Sequence, residues 1–356
     1  MREARVDPVA IGANFALLAQ RHSPLGVIAV VSGDAYGHGA VDSARAAVAA
    51  GAEWLGTARL EDAIVLREAG LTVPILAWQH SPNEDFIAAV AADITPAVST
   101  SQALAAAVAA GAESLHLVLE TGAGLPGLDH EEWPSAVREA VSLQRSGRLG
   151  PLGIMVTIGP GWADAVAKGL ALVATEGVDV RMVHGNAVSS GSDAASLPAG
   201  MLTAVRSGAE LFGLSESAES AVAAGFVPAM KLWAPIIGTK TVEGGAGVSY
   251  GYTYRTSAES NLALVPLGYG DGLDRSAGNR APAWIGGQVY RISGRVAMDA
   301  FVVDLGDDAA AVGEDAVLFG DPAQGFPSAE DWAIALETTS AVIVTRLTKR
   351  VRRFWS

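Results

Sequence analysis

The sequence predicts an α/β plus β protein: an N-terminal (β/α)₈ barrel followed by a C-terminal, mostly antiparallel β domain. Three observations predict it. Short apolar strands alternate with helical stretches over the first 228 residues, the pattern of a parallel sheet with crossover helices. After Pro228 the helical periodicity gives way to strands punctuated by glycine and proline. Half of the residues are apolar, enough to bury the cores of two domains in 356 residues. The expected division is therefore 1–228 and 229–356.

Barrel strands are expected near 26–31 (GVIAVV), 53–58 (EWLGTA), 74–78 (PILAW), 93–98 (DITPAV), 115–120 (LHLVLE), 152–157 (LGIMVT), 180–184 (VRMVH) and 208–212 (GAELF). The segment LEDAIVLREAG, Leu60 to Gly70, reads as a helix closed by a C-terminal glycine. Eight βα units in this span fit a closed barrel, and a doubly wound open sheet is the alternative. The second domain is expected to use KLWAPIIGTKTV, GVSYGYTY, NLALVPLGYG, the long run from Ala281 to Leu305, AVLFG and AVIVTRL as strands.

Composition excludes several classes of function. The formal net charge is −14, from 24 Lys+Arg against 38 Asp+Glu, so there is no basic face for nucleic acid. The basic terminal stretch RLTKRVRRF reads as a solvated strand or a local ion-pair partner for the acidic surface. There are no cysteines, hence no disulfide, thiolate metal site or Cys nucleophile. The N-terminus has no apolar signal core and no apolar run is long enough to span a bilayer, so a cytoplasmic protein without membrane contact is expected.

The chemistry-bearing segments are individually weak signals. Gly122, Gly124 and Gly127 follow a strand in the G-x-G-x-x-G spacing of a dinucleotide site. The following strand, LGIMVT, lacks the terminal acid that would hold a ribose, so the segment reads as an ordinary glycine-rich βα loop. Asp34 and His38 are too few for a metal site, and no metal is expected. Ser32 lies outside any G-x-S-x-G elbow. Tyr250 and Tyr269 sit in glycine-flanked turns, and VAMDAFVVDL places Met298 and Asp299 in an apolar strand, where an acid needs a partner or a function.

Their order along the chain is more specific. AVVSGDAYGHG, LEDAIVLREAG, LETGAGLPG, VHGNAVSS, VRSGAELFG, VSYGYTY, VPLGYGDGLDR and ISGRVAMDAFVVDLG follow one another at intervals that resemble the alanine racemase family, fold-type III enzymes dependent on pyridoxal phosphate (PLP). The resemblance implies a barrel plus a β domain, and head-to-tail homodimers whose active sites draw on both subunits. It implies that Tyr36 lies beside the cofactor and that Arg206 faces its ring nitrogen, with Gly208 in the phosphate loop. His184 matches the histidine of the family's H-x-A-N-S motif, and Ser190 (or Ser189) is the candidate phosphate contact. Tyr250 matches an acid–base residue donated across the dimer, and Met298 and Asp299 a pair lining the substrate carboxylate pocket.

Departures from the family pattern are equally specific. The family's first barrel strand ends A-V-V-K, and its lysine position is Ser32 here. A hydroxyl cannot form a Schiff base. Other family positions, two basic side chains, a histidine and a tyrosine, fall on Val118, Leu125, Thr157 and Ala341. Together these departures lead to the expectation of a diverged member, not a conventional PLP-dependent racemase and holding no cofactor. It would use the old cleft for other chemistry, or bind an amino acid or carboxylate. Ser32, Tyr36, Tyr250 and Asp299 are its candidate catalytic residues, and Arg206, Met298 and His184 its substrate contacts. Ser190 and Gly208 would hold a phosphate or another anion. The alternatives are an amino-acid (alanine) racemase with PLP held noncovalently and low activity, and a non-catalytic dimeric interaction protein.

Overall fold

The computed structural model describes residues 2–81, 83–121, 124–157, 162–186, 202–216 and 220–356. They form two compact units, one of residues 15–35 and 40–208, the other of 1–14, 36–39 and 209–356.

The first unit is a closed eight-stranded parallel barrel. Its strands are Gly26–Val30, Trp54–Thr57, Ile75–Ala77, Ile94–Val98, His116–Leu119, Leu152–Val156, Val180–Asn186 and Ala204–Ser207. Ile94–Val98 and Leu152–Val156 are buried throughout, as strands covered on both faces must be. Helix Trp133–Arg145 shows why its sequence is helical: Trp133, Ala136, Val137, Ala140 and Val141 repeat at helical spacing and are all buried. Asp85 and Thr100 cap the helices that follow them by accepting from the backbone N–H of Ala88 (2.9 Å) and Ala103 (3.0 Å). One strand differs from expectation. The last barrel strand is Ala204–Ser207, and the predicted strand at 208–212 is instead a single 3₁₀ turn, Ala209–Phe212. Ladder pairing with Gly26–Val30 runs from Ala204 to Ser207 and stops there.

The second unit is built on a six-stranded sheet in the order Gln288–Arg291, Pro282–Ile285, Asp315–Phe319, Met230–Pro235, Glu3–Val6, Arg352–Trp355. Glu3–Val6 pairs antiparallel with Met230–Pro235 and parallel with Arg352–Trp355. The N-terminus thus supplies a central strand to the C-terminal sheet, so the compact units interleave along the chain where a cut at residue 228 would be contiguous. A second, antiparallel sheet joins Gly238–Val242, Ser260–Val265 and Phe301–Asp304. The stretch AVIVTRL, expected as a strand, forms the helix Ser340–Thr345. Thr339 caps it, and the Ser340 hydroxyl accepts from the Ser215 N–H (2.8 Å) and donates to the Ser215 carbonyl (3.0 Å). These bonds override the β propensity of the valines and isoleucine.

Asn14 clamps the second unit. Its buried amide donates to the carbonyls of Leu211 (3.2 Å) and Val227 (2.8 Å) and accepts from the Val227 N–H (2.8 Å). Asn14→Ala would leave the buried Leu211 carbonyl and the part-buried Val227 carbonyl and N–H without this partner, and a loss of about 2 kcal/mol in unfolding free energy is expected. Chemical denaturation checks it; a loss below about 1 kcal/mol would show that water replaces the amide.

Candidate functional site

Ser32 stands at the C-terminal tip of the first barrel strand, where barrel enzymes carry their chemistry. Its Oγ is buried with no hydrogen-bond partner among the described residues. The chain then turns through Gly33, Asp34, Ala35 and Tyr36 at φ of 62°, 56°, 55° and 52°. Left-handed backbone costs roughly 1–2 kcal/mol at each non-glycine residue, so this turn holds strain beside the site. The Ala35 N–H donates to the Val31 carbonyl (2.9 Å), and Asp34 Oδ1 accepts from the Ala40 N–H (2.8 Å). Asp34 therefore holds the turn, and among the described residues no group of three His, Cys, Asp or Glu is placed to bind a metal.

Arg206 lies on the barrel strand next to that of Ser32, with Ile28 opposite it in register. Its guanidinium is buried. One terminal nitrogen donates to His184 Nδ1 (2.8 Å) and the His184 carbonyl (3.3 Å), the other to the Val156 carbonyl (3.1 Å). The Trp78 ring lies 6.0 Å from the guanidinium carbon. His184 Nε2 is 2.7 Å from Nδ1 of His116, also fully buried. Burial pulls the His116 pKa down to about 3, helped by the charges of Arg206 and Arg181. Burial likewise pulls His184 well below the usual histidine range, with His116 and Arg206 adding to the effect. Both imidazoles are neutral at physiological pH. Arg206 is lowered by burial to about 10 and stays cationic.

Of the other predicted positions in this unit, Gly208 directly follows the strand that carries Arg206, and Ser190 lies outside the described residues. Val118 belongs to the barrel core with Ile28, Trp54, Leu76 and Met155, Leu125 is exposed, and the Thr157 carbonyl accepts from Thr121 Oγ1 (2.6 Å).

Tyr36 belongs to the second unit. Its hydroxyl donates to Glu216 Oε1 (3.2 Å), and its ring leans on Phe212 at 5.6 Å, on which His38 also stacks at 4.5 Å. Burial raises the Tyr36 phenol far above its ordinary value, and the charges of Glu216 and then Glu210 raise it further. The phenol is a proton donor here and not a base. Arg353 Nε donates to the Gly37 carbonyl (2.9 Å), which ties this short loop to the C-terminal strand.

Tyr250 begins a 3₁₀ turn and is 72% exposed. The preceding Ser249 donates from Oγ to the Arg295 carbonyl (2.7 Å). Met298 and Asp299 lie in a turn, not in the apolar strand expected from the sequence, which starts only at Phe301. The turn is pinned by the N–H groups of Tyr269 and Gly270, which donate to the carbonyls of Ala297 (3.0 Å) and Met298 (2.9 Å). Asp299 is exposed and paired with Arg350, whose hydrogen bond holds the Asp299 carboxyl below its usual range. Arg350 Nε also reaches buried Asp271 at 3.1 Å. Arg350 lies in the basic stretch read from the sequence as a solvated strand or an ion-pair partner, and its ion pairs follow the second reading. His116 and Glu216 escaped the sequence reading, and a histidine inside the apolar strand LHLVLE was the one local signal for either.

Comparison with known proteins places this geometry. The profile described as "Alanine racemase, N-terminal domain" matches residues 6–216, and "Alanine racemase, C-terminal domain" matches residues 229–355. An alanine racemase of Thermobifida fusca is 39% identical over 99% of this chain and 98% of its own length. One of Beutenbergia cavernae is 41% identical over 98% of the chain and 96% of its own length. The crystal structure of alanine racemase from Streptomyces lavendulae superposes with a TM-score of 0.94 at 39% identity, covering 100% of this chain and 97% of its own. That from Streptomyces coelicolor gives 0.93 at 36%, covering 99% and 97%. These full-length matches overturn the expectation of a chain that has left conventional racemase chemistry for PLP-independent catalysis or plain ligand binding, and with it the expectation of no cofactor. Changes at a few charged positions leave the family's scaffold standing, and similarity of this length weighs against reassigning the chain. Among the described residues no helix is long and apolar enough to cross a membrane.

Proposed function

This chain belongs to the alanine racemase family, and from that premise we propose that it is an amino-acid racemase, alanine being the first substrate to test, that binds PLP noncovalently and turns over slowly. The observation that carries the reading is buried Arg206, held by neutral His184 and the Val156 carbonyl on the strand beside the one that ends in Ser32.

The donor set fits the cofactor without a covalent anchor. Ser32 stands where the family pattern has its lysine, and its buried hydroxyl, without a partner among the described residues, suits a bound polar group but forms no imine. Lys168, Lys231, Lys240 and Lys349 are the four lysines of the chain, and none lies on a barrel strand. Bound PLP supplies an electron sink for an amino acid that has lost its α-proton. The protein's part is then positional and electrostatic. Arg206 presents a fixed cation, and Gly208 is assigned to the phosphate as in the family pattern. Tyr36, kept protonated by burial and Glu216, donates a hydrogen bond. Exposed Tyr250, Met298 and Asp299 are assigned to the neighbouring subunit's site in a homodimer, with Tyr250 moving a proton.

Titration of the full-length protein with PLP, followed by tryptophan fluorescence, tests the reading. Saturable binding is expected, with slow interconversion of L- and D-alanine by circular dichroism and no pyridoxyl-lysine after borohydride reduction. Absence of binding sinks the proposal, and a stoichiometric lysine adduct sinks its noncovalent form. Ser32→Lys alone is expected to recover little racemase activity, because groups that act as a unit are strongly non-additive. The variant that also carries Leu125→Arg, Thr157→His and Ala341→Tyr is expected to exceed it. Equal rates for the two would show that the lysine was the sole missing part.

A further inference from the structure

We propose that His116 is a positioning residue of this site: seated against Gly153, it accepts a hydrogen bond from His184 and thereby sets the tautomer with which His184 holds Arg206. The inference deepens the reading of Arg206 as a cofactor-side cation and rests on it.

The direction of the chain follows from what each group can donate. A guanidinium has only N–H groups to offer and no acceptor. At 2.8 Å from Arg206, His184 Nδ1 must therefore be the bare, accepting nitrogen. A neutral imidazole then carries its proton on Nε2, which faces His116 Nδ1 at 2.7 Å. That nitrogen of His116 must in turn be bare, and the His116 proton sits on Nε2. The opposite assignment sets two N–H groups against each other at one end or the other. A cationic His184 fails for the same reason, and its burial beside His116 and Arg206 disfavours it further.

His116 holds its place through two contacts inside the barrel. In the ladder it pairs with Gly153 on the neighbouring strand. A Cβ built on Gly153 would fall 2.2 Å from the Cγ and Cδ2 atoms of the His116 ring, so only glycine leaves the ring its seat. Trp54, three strands away from His116 in the barrel order, tilts against the ring with centroids 5.6 Å apart. The ring therefore fills the barrel interior, reaching His184 on a strand that is not its neighbour. Without an acceptor at this point, His184 would bury an unpaired Nε2–H or shift its proton to Nδ1, directly against Arg206.

Long-range ¹H–¹⁵N correlation spectra of the full-length protein with ¹⁵N-labelled histidine, recorded without ligand, test the tautomers. Two neutral histidines with protonated Nε2 and bare Nδ1, unmoved between pH 7.5 and 5.5, are expected, one of them absent in His116→Asn. A His184 that carries its proton on Nδ1, or that titrates in this range, overturns the proposal. The second arm is PLP titration of two variants. Asn places an oxygen near the lost Nδ1 and restores an acceptor, whereas Leu fills the space without one. His116→Leu is expected to weaken PLP binding about tenfold or more, and His116→Asn by about threefold or less. Equal losses would reduce His116 to packing and sink the positioning role. If His116→Leu does not fold, the spectra of the wild type and of His116→Asn decide. A wild type that fails to bind PLP sinks the functional reading alone, since the tautomer measurement needs no cofactor.

Discussion

Urea midpoints of the full-length protein are expected to fall steeply as the pH drops from 6.5 to 4.5, and the cause is the buried pair His116 and His184. In the native state both rings are neutral, His116 with its pKa near 3 and His184 well below the usual range. In the unfolded chain both return to about 6.5. Below that value the unfolded state binds protons that the folded state refuses, so stability is full above pH 6.5 and is lost as the pH falls toward the folded values. A histidine that stays neutral in the folded state contributes a slope of up to about 1.4 kcal/mol per pH unit below its unfolded pKa, and here two such rings act in the same direction. Half-buried His80, shifted the same way by its own burial, adds a smaller share. The carboxylates held low by hydrogen bonds, Asp274 and Asp299, lose their contribution only below their ordinary range near 4, outside this window. His116→Asn removes one titrating group and should flatten the slope by about one histidine's worth. An equal slope in wild type and variant would show that other groups dominate the acid limb.

Gly268→Ala is expected to be a strongly damaging single-methyl change in the second unit. A Cβ on Gly268 would lie 2.3 Å from the Met298 carbonyl oxygen and 2.4 Å from that of Ala297. Both obstacles are backbone, tied in turn by the N–H groups of Tyr269 and Gly270, so no side chain can swing away to relieve them. Overpacking of this kind costs typically 1–3 kcal/mol, and the rigid neighbours place this case at about 3. The carbonyls that must retreat belong to the turn carrying Met298 and Asp299, so the substitution also displaces the residues assigned to the shared site. Gly238→Ala is the matched control, because an added Cβ there meets nothing within 4 Å. Thermal melts of the two variants check the contrast, and a Gly268→Ala melt within a degree of the control would refute it. If Gly268→Ala folds, its PLP affinity and racemase rate report whether the turn matters to the site.

The barrel was legible because its information is local. Apolar runs of strand length, with helices such as Leu60–Glu68 between them, specify a parallel closed sheet without any knowledge of partners. The turn-rich texture after Pro228 likewise announced the antiparallel domain, and the order of the motifs announced the family. Propensity misled where tertiary bonds outweighed it. The valines at 342 and 344 joined a helix whose Ser340 is held by Ser215, and the strand carrying Arg206 ended before the predicted one began.

By itself, then, the sequence determined a closed barrel, an antiparallel β domain after it, and a serine at the tip of the first strand. Only the tertiary structure decided that Glu3–Val6 enters the C-terminal sheet, that Met298 and Asp299 sit in a pinned turn, and that His116, His184 and Arg206 join in one buried chain. The reason is physical. Periodicity and turn chemistry act within a few residues, whereas a hydrogen bond between residues 116 and 184, or the glycine at 153 that makes room for it, is specified only once eight strands have closed around a common interior.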